Sequence, residues 1–94
     1  MKATPEELMQ YTKLQPRWKQ VLVIAINGYS LRESAKILGL SFWTVNAYLT
    51  RAQNQLGFEK RILMYLYIVR RPELEQILRI ECYDNIFSNK EFNR

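Results

Sequence analysis

Apolar residues recur along this chain at the three- and four-residue spacing of a helix, and each such stretch is bracketed by residues that start or stop one. Thr4, Pro5 and Glu7 form the first start: Thr4 as N-cap, Pro5 at the first helical position where its missing N–H costs nothing, and Glu7 closing a capping box. A short helix to about Lys13 is predicted. Pro16 opens the next, in which Trp18, Val21, Leu22 and Ala25 share one face, and it should end near Asn27 because Gly28 follows as a left-handed cap. Ser30 and Glu33 repeat the capping box and predict a helix from Leu31 to Leu38 before Gly39. Ser41 then caps a longer helix, Phe42 to Leu56, closed by Gly57. Its buried stripe is Val45, Leu49, Ala52 and Leu56, and its opposite face carries Asn46, Ala47, Thr50, Arg51 and Asn54. A helix from about Lys60 to Arg71 follows, and Pro72 with Glu73 and Glu75 begins another reaching about Asp84, after which Ser88 to Arg94 is polar and expected to fray.

The fold class is therefore all-α: one unit over 1–94, with a core at 14–71, an added N-terminal helix in 1–13 and a helical extension in 72–94. Within the core, the helices Leu31 to Leu38 and Phe42 to Leu56, joined across Gly39-Leu40-Ser41, have the lengths of a helix-turn-helix. Ala35 is small enough for the second helix to approach the first, Gly39 can adopt positive φ in the turn, and Val45 fills the wedge between them. A plain helical hairpin without a ligand would share this pattern.

Charge separates the two readings. The net charge of +5 comes entirely from Arg17 to Arg61, where Arg17, Lys19, Arg32, Lys36, Arg51, Lys60 and Arg61 face only Glu33 and Glu59. A basic centre between neutral flanks is the footprint of a nucleic-acid partner. The composition also excludes function classes. There is no His, and the lone Cys82 can make neither an internal disulfide nor a zinc site, so no metal, cofactor or catalytic residue is expected and an enzyme is not. No signal peptide is read at the start, and the apolar runs Val21 to Ile26 and Ile62 to Val69 are far shorter than the ~20 residues of a membrane span. A soluble, reducing cytoplasmic setting at the nucleoid is the expectation.

Ile62 to Val69 is apolar around its whole circumference, whereas a surface helix needs one apolar stripe. Either the helix from Pro72 covers the second face with Leu74, Ile77 and Leu78, or a second copy of the chain does. The run Val21 to Ile26 offers further apolar surface to the helix carrying Leu8 and Met9.

The residues Leu14-Gln15-Pro16-Arg17, Gln20-Val21-Leu22, Gly28-Tyr29-Ser30, Glu33-Ser34-Ala35, Leu38-Gly39-Leu40-Ser41, Thr44-Val45 and Leu56-Gly57-Phe58 together resemble, without a gap, the LuxR/GerE-type helix-turn-helix domain. The resemblance implies a four-helix DNA-binding domain of bacterial transcription regulators, whose third helix enters the major groove and whose fourth commonly makes a dimer. This sequence departs from the family pattern at Trp18 and Gln20 (usually acidic), Ser34 (usually branched apolar), Asn46 (usually basic) and Tyr48 (usually His). Phe42 and Trp43 are also unusual there, and are read as packing residues, as contacts to thymine methyls or sugars, or as a protein-binding pair.

On this reading the DNA-binding residues are Arg32, Lys36, Ser41, Trp43, Thr44, Asn46, Ala47, Tyr48, Thr50, Arg51 and Asn54. The turn Ser41 to Thr44 offers backbone N–H groups to a phosphate, Asn46 suits adenine, Arg51 guanine or phosphate, and Thr50 either strand. A homodimer would use Leu63, Leu66, Tyr67 and Arg70. The leading expectation is a sequence-specific, DNA-binding transcription regulator. The alternatives are an adaptor or anti-activator that binds a protein partner through the same fold, and a promoter-recognition module like that of a sigma factor.

Overall fold

A computed structural model of the chain describes residues 2–82, which form six helices: α1 (Pro5–Thr12), α2 (Pro16–Ile26), α3 (Leu31–Leu38), α4 (Phe42–Leu56), α5 (Arg61–Val69) and α6 (Pro72–Cys82). The expected extension of the last helix to Asp84 and the polar segment from Ser88 lie outside the described residues. The caps form as the side chains dictate. The Thr4 and Ser30 hydroxyls accept from the N–H groups of Glu7 and Glu33 respectively, and the Thr4 and Ser30 N–H groups donate to those same carboxylates, so both capping boxes close. The fifth helix is shorter than the predicted Lys60 to Arg71, because Lys60 has extended backbone and acts as N-cap while Arg70 is the C-cap.

α2 lies at the centre. Every residue from Trp18 to Ile24 is buried, so this helix is covered on all sides rather than along one stripe. α6 packs chiefly on it, and α3, α4 and α5 cover the remainder. This arrangement accounts for the departure from the family pattern at Trp18. Trp18 belongs to the same buried cluster as Leu74 and Leu78 of α6, and Gln20, also buried, accepts a 3.2 Å hydrogen bond from Arg17. A carboxylate at position 18 would lose its hydration there. Ser34 is buried too, and its hydroxyl donates to the Ser30 carbonyl at 2.8 Å, which satisfies the one polar group that the smaller side chain brings into the interior.

α1 docks chiefly on α6, not on the apolar run of α2 expected to receive it. The physical reason is that α6 already occupies that flank of α2. Tyr11 and Leu14 enter the core, Leu8 is half-buried and Met9 stays exposed. The Ala3 N–H donates to Glu73 Oε2 at 3.2 Å and ties the start of α1 to that of α6.

The covering of α5 is partial. Met64 and Ile68 are fully buried and Tyr65 and Tyr67 half-buried, but Ile62, Leu63, Leu66 and Val69 remain 42–57% exposed. α6 turns its buried Leu74 and Leu78 mainly towards α2, so the helix from Pro72 covers one side of α5 and leaves the other bare. Among the described residues no helix is long and apolar enough to cross a membrane.

Candidate nucleic-acid interface

α3 and α4 are set by their turn. Gly39 takes φ +67°, which lets the Leu40 N–H reach back to the Ala35 carbonyl at 2.9 Å and close α3 just before Ser41 starts α4. The Ser41 hydroxyl accepts from the Thr44 N–H at 3.1 Å and donates to Thr44 Oγ1 at 2.9 Å, so it is committed to capping. Ser41 itself is exposed and Thr44 half-buried. Val45, Leu49 and Ala52 are buried, and Leu56 is half-buried at the end of the same stripe. With that stripe turned inward, Thr50, Arg51 and Asn54 are exposed on the far side, while Asn46, Ala47 and Tyr48 are half-buried.

The aromatic pair at the start of α4 divides. Phe42 is half-buried beneath the Arg32 guanidinium, 5.7 Å from its ring centre, whereas Trp43 is 75% exposed and meets Phe42 only edge-on at 5.2 Å. Packing therefore explains Phe42, whereas most of Trp43 faces solvent. Arg32 and Lys36 on α3 are both exposed.

One residue that sequence reasoning did not place at the site is Arg61, at the start of α5. Its Nη1 donates to Asn46 Oδ1 at 2.9 Å, and its Nη2 donates to Thr50 Oγ1 at 2.9 Å and to the Asn46 carbonyl at 3.4 Å. The Thr50 hydroxyl in turn donates to that carbonyl at 3.0 Å. Arg61 also lies close to Tyr65, whose phenol is pushed above its ordinary pKa by burial and held back by this guanidinium. The signal available in the sequence was only the basic run Lys60-Arg61 after Gly57; a contact across 15 positions cannot be read from a single helix's periodicity.

The basic surplus is not uniformly available. Arg17, Arg32, Lys36, Arg51 and Lys60 are exposed and Arg61 half-buried, but Lys19 is buried along α2. Of the residues expected at a dimer contact, Leu63, Leu66 and Arg70 are exposed. Tyr67 is half-buried, with Phe58 5.3 Å from its ring and the Arg71 guanidinium 3.5 Å above it.

Neither a curated protein nor a solved structure matches the chain. Residues 12–68, running from the end of α1 to the penultimate position of α5, match the family described as bacterial regulatory proteins, luxR family. That span covers the turn, the capped α4 and the α3 that supports it, and the chain accordingly belongs to the luxR family of bacterial regulatory proteins, a family of DNA-binding transcription regulators.

Proposed function

We propose that this chain is a sequence-specific regulator that reads the major groove of duplex DNA with α4 and acts as a homodimer through the bare face of α5. The observation that carries the reading is the division of α4. Its apolar stripe is consumed by the core, while Thr50, Arg51 and Asn54 stand exposed opposite it on a helix whose first turn has N–H groups to offer a phosphate. Arg32, Lys36 and Lys60 flank that helix as phosphate contacts, and Asn46, Ala47, Tyr48 and Arg51 approach base edges. The test is binding to duplex DNA across a salt series. Log K should fall against log salt with a slope of about −0.9 for each phosphate neutralised. Lys36→Ala should weaken all sequences alike and reduce the slope by about one, whereas Arg51→Ala should relax preference at one base pair. Affinity independent of salt, or no binding at low salt, would refute the proposal.

The exposure of Trp43 supports a second reading, an adaptor that docks a protein through the start of α4. Trp43→Ala separates the two: loss of DNA affinity in a folded protein supports groove contact, and unchanged DNA affinity with loss of a protein partner supports the adaptor.

A further inference from the structure

Two polar residues on α4, Asn46 and Thr50, are already hydrogen-bonded to a cation. Arg61 has only donors, so the oxygen of the Asn46 amide, not its nitrogen, must face the guanidinium, and the amide orientation is fixed by chemistry. Asparagine reads adenine by accepting from N6 with Oδ1 while donating to N7 with Nδ2. Turning the amide to bring Oδ1 outward would set its N–H groups against those of Arg61. An oxygen that already accepts from a cation is also a poorer acceptor for a neutral base amine. Thr50 offers no competing proton, because its hydroxyl is spent on the Asn46 carbonyl. What remains to face a ligand is the pair of Nδ2 protons, together with the N–H groups of Arg61 not used on Asn46 and Thr50.

We propose that Arg61 is a positioning residue which holds Asn46 as a hydrogen-bond donor, so that the base facing Asn46 is guanine, read at N7 and O6, and not adenine. Guanine presents two acceptors on its major-groove edge, whereas adenine sets an N6 donor beside its N7. The inference rests on the reading of α4 as the groove helix and adds to it the polarity of one contact. It reverses the preference that an unconstrained asparagine would have.

The test is selection from a duplex library with a randomised core by the full chain and four variants, each first checked for helicity and cooperative melting. Asn46→Ala identifies the base pair that Asn46 reads, and in the unaltered protein that pair should be G·C. Arg61→Met frees the amide and should move the same position towards adenine by roughly 5- to 150-fold, the range of one base-edge contact. Arg61→Lys keeps a donor on Oδ1 and should retain guanine. Asn46→Asp keeps the Arg61 contact but has no proton to give, and should move the position towards cytosine, whose N4 donates. Adenine at the Asn46-dependent position of the unaltered protein overturns the proposal, as does an Arg61→Met variant with unchanged preference or an Asn46→Ala variant that alters no position. A DNA-free measurement separates this failure from that of the groove reading. In the free protein, Arg61→Met should shift the Asn46 side-chain amide resonances; if they stay put, the clamp does not exist and the groove reading stands. Should the unaltered chain bind no duplex, both fall.

Discussion

Leu66 is the position at which assembly can be tested without disturbing the fold. It is 42% exposed on α5 and lies outside the buried cluster, in contrast to Met64 and Ile68 on the opposite side. Full burial of an aliphatic side chain stabilises by about 1.5–3 kcal/mol, and Ile62, Leu63, Leu66 and Val69 are each about half-covered already, so a partner would recover roughly 0.75–1.5 kcal/mol from each. Two copies bring eight such side chains, a gross gain of roughly 6–12 kcal/mol, against an association cost of about 4–15 kcal/mol. The balance is close to zero. A homodimer through this face would therefore be weak in free solution, micromolar or poorer, and would be strengthened on DNA if two half-sites hold the copies together. Leu66→Glu removes two of the eight contributions and adds two charges to be desolvated, which should weaken association at least ten- to a hundredfold. Sedimentation velocity over a concentration series, alone and with a duplex carrying two half-sites, measures this directly, and a melting curve checks the fold. The melting temperature should scarcely change. A variant that associates and occupies the duplex as the unaltered chain does would refute the assignment of this face, and so would a unaltered chain that binds the two half-sites only as independent monomers.

Two further predictions concern the appended helices. The Tyr11 hydroxyl is buried without a hydrogen-bond partner, and burial pushes its pKa upward, so Tyr11→Phe should stabilise the protein by about 1 kcal/mol in denaturant melts; a loss of that size would show that the hydroxyl is satisfied. Glu73 is held below the usual carboxylate range by its own backbone N–H, then by that of Ala3, with Lys2 adding to the effect. Because its folded pKa is depressed, the tie to Ala3 is fully present above the unfolded value and is lost as pH falls through the folded one, below the ordinary carboxylate range. The Ala3 amide resonance should titrate in that window and cease to do so in Glu73→Gln.

The elements of this fold were legible because their signals are local. Thr4, Ser30 and Ser41 as caps and Gly39 and Gly57 as terminators act within one turn of themselves, so α3 and α4 fall at the predicted residues. The stripe Val45, Leu49, Ala52 was equally readable, since burial follows the helical period. What the sequence left open depends on which helix meets which. The run Val21 to Ile26 was expected to receive α1 but is covered chiefly by α6, and the all-round apolar α5 could not say which face would stay bare. At the site, periodicity placed Asn46 and Thr50 on one side of α4 but could not reveal that Arg61 holds them both. That contact arises only when the start of α5 returns across α4.

The same tertiary arrangement explains why this chain departs from its family on the side away from the candidate interface. The family match ends at residue 68, but the buried cluster does not, since Leu74 and Leu78 of α6 lie in one cluster with Trp18, Val21 and Leu22 of α2, and Tyr11 of α1 joins them. The acidic residues usual on the first family helix are replaced here by Trp18 and Gln20, both buried, Trp18 in one cluster with Leu74 and Leu78 of α6. Replacing those carboxylates removes negative charge from the segment that carries the basic surplus, and covering α2 removes it as a docking surface. On the proposed reading, recognition would then fall to α3, α4 and the start of α5, and assembly to the outer face of α5. Because Arg61 begins the helix whose outer face would meet a second copy and also holds Asn46, a shift of α5 on dimerisation would be felt at Asn46, the residue proposed to face the base.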